Sequence, residues 1–199
     1  MLSPFLEFER IEAGCDEVGR GCLCGPVVAA AVILPPDFAN AFVNDSKKLT
    51  RESRNALVNE IKSEAIAWSI AEASVEEIDR INILRASFLA MSRAIEALNV
   101  KPQHLLIDGN RFSSHLTIPY TCIVKGDGKF ASIAAASILA KVYRDEMMER
   151  YAEQYPGYGW ETNVGYPTHS HREGILKLGT TPLHRKSFRL LPDQLEFDF

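Results

Sequence analysis

The stretch Ile11-Glu-Ala-Gly-Cys-Asp-Glu-Val-Gly-Arg-Gly-Cys-Leu-Cys-Gly-Pro-Val-Val-Ala-Ala-Ala-Val-Ile-Leu34 decides the fold. Its first apolar run, Ile11 to Glu17, ends on an acidic pair. Gly19, Gly21 and Gly25 punctuate the next few residues. Pro26 to Leu34 then reads as a buried strand, and Pro35-Pro36 ends it. Two strands on either side of a glycine-rich bend predict an antiparallel pair.

Downstream, Thr50 is a helix N-cap, and Leu57, Val58 and Ile61 form an apolar stripe running to about Glu64. Ala65 to Ala73 alternates loosely, as a third strand would. Ser74-Val-Glu-Glu77 has the capping-box pattern. Asn82 to Leu98 is a helix with Ile83, Phe88, Met91 and Ile95 on one side, stopped by Lys101-Pro102. His104 to Ile107 is a short strand ending at Asp108, and Tyr120 to Val124 is another, followed by Lys125-Gly-Asp127. Lys129 to about Tyr155 is the longest helical segment, crowded with Ala and Ser in its first half. Residues 157–190 read as turns around one short helix, Ser170 to Leu178. Helices alternating with strands after an antiparallel pair predict an α/β or α+β domain, with α/β the expected class. Its mixed central sheet would be flanked by helices, with a helical C-terminal region. Residues 1–191 form the expected single domain, and 192–199 a tail.

Composition narrows the classes. The chain has 199 residues, 46% of them hydrophobic, which excludes a wholly disordered protein. No run of about 18 apolar residues is present, so no membrane span is expected. Met1 to Ile11 lacks the apolar core of a secretory signal. Cys15, Cys22, Cys24 and Cys122 form no C-x-x-C pair, which predicts reduced thiols in a cytoplasmic protein. The net charge of −4 excludes a globally basic nucleic-acid binder but not a locally basic face. Between Asn163 and Leu191 the cations Arg172, Lys177, Arg185, Lys186 and Arg189 face Glu173 alone. That window also holds Tyr166 and three histidines. Lys47, Lys48, Arg51 and Arg54 form a second basic group.

The acidic residues carry the chemistry. Asp16 and Glu17 end one strand, Asp108 ends another, and Asp127 lies just past a third. Ligand sites in such sheets gather beyond the carboxyl ends of strands. A cluster of carboxylates repels itself unless protonated or neutralised by a cation. Oxygen ligands without Cys or His partners select Mg²⁺ or Mn²⁺. Two such ions clamp a phosphodiester for in-line attack by water. The plain alternative for each residue is a turn former or a solvated charge. Adjacent residues on a strand point to opposite faces, so Asp16 and Glu17 share a site only with a bend near Val18. Asp145 competes as the fourth carboxylate, although it sits midway along a helix beside Arg144, where a structural ion pair is the simpler reading. Gly19-Arg20-Gly21 permits close approach of backbone N–H groups to a phosphate or sugar hydroxyl, or is only a tight bend. Its spacing does not fit a dinucleotide-binding loop.

Taken together, these motifs resemble bacterial ribonuclease HII, the type 2 ribonuclease H. The matching segments are Ala13-Gly-Cys-Asp-Glu-Val-Gly-Arg-Gly21, Gly25 to Ile33, Asp45-Ser-Lys-Lys-Leu49, Ile81-Asn-Ile-Leu84 and Ile107-Asp-Gly-Asn110. Lys125-Gly-Asp127, Ser132 to Asp145, Gly165-Tyr-Pro-Thr168 and His184-Arg-Lys-Ser-Phe188 complete the set. They span about residues 10–190 in family order. The resemblance implies a ribonuclease H-like fold and an endonuclease that cuts RNA in RNA–DNA hybrids and 5′ of single ribonucleotides in duplex DNA. It implies 3′-OH and 5′-phosphate products and a role in ribonucleotide removal. Asp16, Glu17, Asp108 and Asp127 would be the metal-binding catalytic carboxylates, holding two Mg²⁺ or Mn²⁺ ions with substrate. Gly19, Arg20 and Gly21 would contact the ribonucleotide 2′-OH, the group that distinguishes RNA from DNA there. Tyr166 would stack at the RNA–DNA junction. Lys47, Lys48 and Arg185 would be phosphate or structural contacts. The chain departs from the family at Cys22 and Cys24, where Pro and Ala are usual, and at Val164, where many members carry Lys.

Other classes make different demands. A metal-free ribonuclease needs a histidine pair, for which His169 and His171 are candidates, although phosphate contact or solvation is the expected fate of both. A hybrid-binding module has no use for four carboxylates, and a strand transferase would lack the Gly-Arg-Gly loop. The tail Gln194-Leu-Glu-Phe-Asp-Phe199 resembles the short peptides that bind bacterial sliding clamps. A monomer is the expected state.

Overall fold

The computed structural model describes residues 2–38 and 50–191. Lys47, Lys48 and the tail from Gln194 to Phe199 lie outside the described residues. Among the described residues, five strands form one mixed sheet in the order β3-β2-β1-β4-β5. β1 (Glu12–Val18) pairs antiparallel with β2 (Val27–Ile33), as the glycine-rich bend requires, and β2 pairs antiparallel with β3 (Ala67–Ala73). On its other side β1 runs parallel to β4 (His104–Asp108), which runs parallel to β5 (Tyr120–Ile123). β2 is buried along its whole length, in keeping with its unbroken apolar run.

The two faces of the sheet carry separate cores. Cys15, Ala29, Ala31, Leu105 and Ile107 pack against α3 (Ile83–Glu96) through Ala90, Met91 and Ile95. Val28, Ala30 and Val32 pack against α4 (Ala131–Gln154) and α1 (Arg51–Glu64). The Ala and Ser run at the start of α4 has a steric reason. A Cβ on Gly14 of β1 would lie 2.3 Å from the Ile133 nitrogen and 2.6 Å from Ser132 Oγ. Helix and strand therefore touch backbone to backbone, and only small residues fit between them.

Caps stand where the sequence places them. The Thr50 hydroxyl accepts from the Ser53 amide at 3.2 Å and opens α1. Ser74 and Glu77 form a reciprocal capping box at the head of α2 (Val75–Ile81). Glu77 also pairs with Arg93 at 2.6 Å, and that guanidinium holds its carboxyl down at about 2. The C-terminal region adds α6 (His169–Leu178), as expected, and one helical turn, α5 (Trp160–Asn163), that reads as loop in the sequence. Four residues are too few to show a helical period. These elements enclose a third cluster around Trp160, Tyr158, Met148 and Leu23.

Candidate active site

The carboxylates gather at the carboxyl ends of β1 and β4. β1 stays regular to its end, with Asp16 opposite Ala30, Glu17 opposite Ala29 and Val18 opposite Val28. No bend brings the pair onto one face. Asp16 lies with Ala30 on the α4 side, and Glu17 with Ala29 on the α3 side. Cys15 pairs with Ile107 on β4, so Asp108 follows beside Asp16 on the neighbouring parallel strand. Asp108 Oδ1 accepts the Gly126 amide at 2.7 Å. That bond ties β4 to the 3₁₀ turn Gly126–Gly128, in which Asp127 is buried.

Three of the four carboxylates influence one another. Burial raises the Asp16 pKa well above its ordinary value, and the charges of Glu17 and Asp108 raise it further, against hydrogen bonds from Ser137 and the Glu17 amide. Burial also raises Glu17, against the Arg20 guanidinium 3.1 Å away, while the Asp108 charge adds to the rise. Glu17, Arg20 and Asp108 line one cleft with Asn110, Arg111 and Ser87. Among the described residues, no three His, Cys, Asp or Glu side chains converge into a ready metal cage. The donor set itself, carboxylate oxygens without sulfur or imidazole, suits a hard cation, and Mg²⁺ is commonly held by one or two carboxylates plus substrate phosphate.

The Gly19-Arg20-Gly21 loop is held from behind. Arg185 is fully buried and donates to the carbonyls of Gly19 (2.7 Å), Arg20 (3.0 Å), Gly25 (2.9 Å) and Pro26 (3.3 Å). Of the two roles open to Arg185, the geometry favours the structural one, because four of its five N–H groups meet carbonyls inside the fold. Burial lowers its pKa to about 10. With these carbonyls turned in, the amides of Gly19, Arg20 and Gly21 donate to no group among the described residues. Arg144, which sequence reasoning missed, reinforces the same loop and is likewise fully buried. Asp145 makes the ion pair expected of it, but with Lys141 (2.7 Å) and Arg54 (3.9 Å) rather than Arg144. Arg111 was also missed, although it follows the Asp108-Gly-Asn segment directly.

Tyr166 is 37% exposed, and the Lys141 ammonium lies 5.8 Å from its ring centre. Its carbonyl meets the Thr168 amide and His171 Nδ1. The two candidate histidines part company. His169 is at the surface beside Glu173, whereas His171 is fully buried. Solvation or phosphate contact at His171 is thus replaced by a core role. Its Nε2 accepts from Trp160 at 2.9 Å and lies 3.2 Å from His184 Nε2. Burial lowers both imidazoles, His184 to about 4. Both are neutral at pH 7, and neither reaches the carboxylates. The basic strip is thinner than its sequence suggests, because Arg185 is buried and Arg172 donates to the Leu190 carbonyl. A larger cleft of about 200 Å³ lies at the far end of the sheet. It contains Glu12, whose oxygens are occupied by the Leu6 and Glu7 amides and Arg10.

A five-stranded mixed sheet with carboxylates at the ends of its central parallel strands defines the ribonuclease H-like class. Among solved structures, the ribonuclease H2 of Pyrococcus horikoshii matches with a TM-score of 0.75 at 25% identity, over 90% of this chain and 94% of that one. The RNase HII of Archaeoglobus fulgidus, solved as a PCNA complex, matches with a TM-score of 0.73 at 26% identity, over 93% and 98%. The family model described as Ribonuclease HII covers residues 13–191. The Ribonuclease HII proteins of Bacteroides thetaiotaomicron and Parabacteroides distasonis are 61% and 62% identical to this chain, each over 100% of both sequences. The chain belongs to the ribonuclease HII family, and so to the metal-dependent endonucleases.

Proposed function

We propose that this protein hydrolyses the RNA strand of RNA–DNA hybrids and cuts on the 5′ side of single ribonucleotides in duplex DNA. The observation that carries the reading is the placement of Asp16 and Asp108 side by side at the ends of two adjacent parallel strands, with Glu17 and Asp108 lining one cleft there. Such charge held at a sheet end is costly unless a cation offsets it. Although Asp16 and Glu17 lie on opposite faces, Asp108 stands beside the first and lines one cleft with the second at the strand ends. Asp16, Glu17, Asp108 and Asp127 would thus together hold two Mg²⁺ or Mn²⁺ ions once substrate phosphate completes the coordination. The ions would supply charge neutralisation at the phosphodiester.

The chain's own groups do the rest. The amides of Gly19, Arg20 and Gly21, which donate to no group among the described residues, fit a ribose 2′-OH, because an N–H donor meets the hydroxyl oxygen and finds nothing on deoxyribose. The exposed Tyr166 ring offers a stacking face at the junction. Arg111 and Arg20, at the edge of the cleft, supply cations for flanking phosphates. Water attacks phosphorus in line, the upstream 3′ oxygen leaves, and 3′-OH and 5′-phosphate ends result. The neutral, buried His171 and His184 take no part. This activity would serve ribonucleotide removal and genome maintenance in the cytoplasm, carried out by a monomer. The four free cysteines fit a reducing compartment, and no helix among the described residues is long and apolar enough to cross a membrane. Lys47 and Lys48 would add phosphate contacts, and Gln194 to Phe199 would dock on a sliding clamp.

The test is cleavage of an end-labelled duplex carrying one ribonucleotide, with Mg²⁺, Mn²⁺ or EDTA, beside an all-DNA control. A metal-dependent cut 5′ of the ribonucleotide, leaving a 3′-OH and absent from the control, is expected. Equal cutting of the all-DNA duplex, or no cutting by folded protein with either metal, would overturn the reading.

A further inference from the structure

We propose that Arg144 is a positioning residue that fixes the Gly19–Gly21 loop and the Tyr166 turn relative to one another, and thereby sets selectivity for a ribonucleotide at an RNA–DNA junction. The proposal rests on the proposed function, in which these two elements meet the substrate.

The geometry of Arg144 is unusual. Its guanidinium is fully buried on α4, and no carboxylate lies within ion-pair distance of it among the described residues. An unpaired buried cation is costly, so its charge must be met by dipoles. Three carbonyls meet it. Nε donates to Pro26 at 3.1 Å and Nη2 to Cys24 at 3.0 Å, both in the segment that closes the Gly19 loop. Nη1 donates to Val164 at 2.8 Å, two residues before Tyr166. Gly19 packs directly on the same side chain, since a Cβ there would lie 2.3 Å from Nε.

The third contact is what gives Arg144 its linking role. Val164 is a β-branched residue with φ of +42°, a conformation that persists only where its surroundings impose it. Within the turn, the Val164 amide donates to the Trp160 carbonyl and the Gly165 amide to Asn163 Oδ1. From outside it, Arg144 Nη1 and the Cys22 thiol meet the Val164 carbonyl, and the Leu23 amide meets the Gly165 carbonyl, which joins the turn to α4 and to the loop. Arg185 provides the contrast. It bonds four carbonyls of the loop and none of the turn, so it shapes one element, whereas Arg144 spans two. A planar fork with donors on three sides suits that span, and a lysine ammonium at the same place cannot reach all three carbonyls.

The experiment compares two substrates of the same sequence, a DNA duplex with one ribonucleotide and a uniform RNA–DNA hybrid. The readout is the ratio of their kcat/KM values. Because both substrates meet the same active fraction, a destabilised preparation still reports the ratio. Arg144→Lys and Arg144→Gln are expected to lower it about tenfold, through KM on the single-ribonucleotide substrate. In a Tyr166→Ala background, Arg144→Lys should leave the ratio unchanged, because the element it positions is gone. An unaltered ratio in both single variants, or fully additive losses in the double variant, would overturn the proposal. Wild-type protein with no dependence on a ribonucleotide would overturn the functional reading instead. The linkage is then read from amide exchange at Gly165 and Tyr166, which Arg144→Lys accelerates if Arg144 holds the turn and leaves unchanged if it does not.

Discussion

Asp108 Oδ1 accepts the backbone N–H of Gly126 at 2.7 Å. The strand end that carries one carboxylate is thereby tied to the turn that carries Asp127. Asn at position 108 retains an oxygen for this bond and loses only the charge. Asp108→Asn is therefore expected to keep the fold while cleavage falls on the order of 10³-fold. The metal-free melting temperature should not drop, because the charge of Asp108 no longer acts on Asp16. Parallel cleavage and melting measurements check both halves.

Cation binding should appear as stability. Carboxylates that repel one another in the metal-free protein gain a counter-charge, and only the folded chain brings them together. Millimolar Mg²⁺ should raise the melting temperature, with about 2.7 kcal/mol at a hundredfold excess over Kd. Asp108→Asn should blunt the rise. A melting temperature independent of Mg²⁺ in the wild type would count against a cation site.

The buried imidazoles set an acid limit. The His184 pKa falls from 6.5 to about 4, first by burial and then by the neighbouring His171. An unfolded chain therefore takes up the proton before the folded one does. The stability from the neutral ring is full above about pH 6.5 and is lost as pH falls toward about 4. Between pH 7 and pH 5 this amounts to about 2 kcal/mol. Urea melts of wild type and His184→Gln should show a shallower pH dependence in the variant.

Gly14→Ala tests the contact of α4 with β1. The new methyl would meet the backbone of Ser132 and Ile133 at 2.3 Å, and backbone cannot swing aside. A loss of more than about 2 kcal/mol is expected. Because Asp16 takes a hydrogen bond from Ser137 on the same helix, activity should fall further than the loss of folded protein explains. Chemical denaturation and active-site titration separate the two.

Deleting residues 194–199 addresses the tail. Clamp affinity should fall while cleavage of short duplexes persists, because none of the proposed metal-binding carboxylates, Asp16, Glu17, Asp108 and Asp127, belongs to that segment. Surface plasmon resonance with the bacterial clamp reads the first, and the duplex assay the second. Unchanged clamp affinity would sink this assignment.

Much of the architecture was legible because it is local. The Thr50 cap, the Ser74–Glu77 box and the apolar run of β2 each depend on residues a few positions apart, and each stands where its pattern places it. The acidic residues at strand ends were legible for the same reason, since a strand's end is marked by its own sequence. The single turn α5 was missed because four residues carry too little periodicity.

The amino-acid sequence by itself determined which segments become strands and helices, where they stop, and that carboxylates stand at the strand ends. Tertiary structure alone decided which of its polar residues lie inside. Arg185 and Gly25 are 160 residues apart, and Arg144 and Cys24 are 120 apart, yet these bonds turn two apparent surface cations into buried struts. The same holds for His171, which stands in a polar, basic stretch and is buried by Trp160 and His184. Pairing register likewise divided Asp16 and Glu17 between opposite faces of the sheet. The reason is physical. Backbone preference and periodicity act over one or two turns of chain, whereas burial and hydrogen-bond partnership are settled only when distant segments displace the water between them.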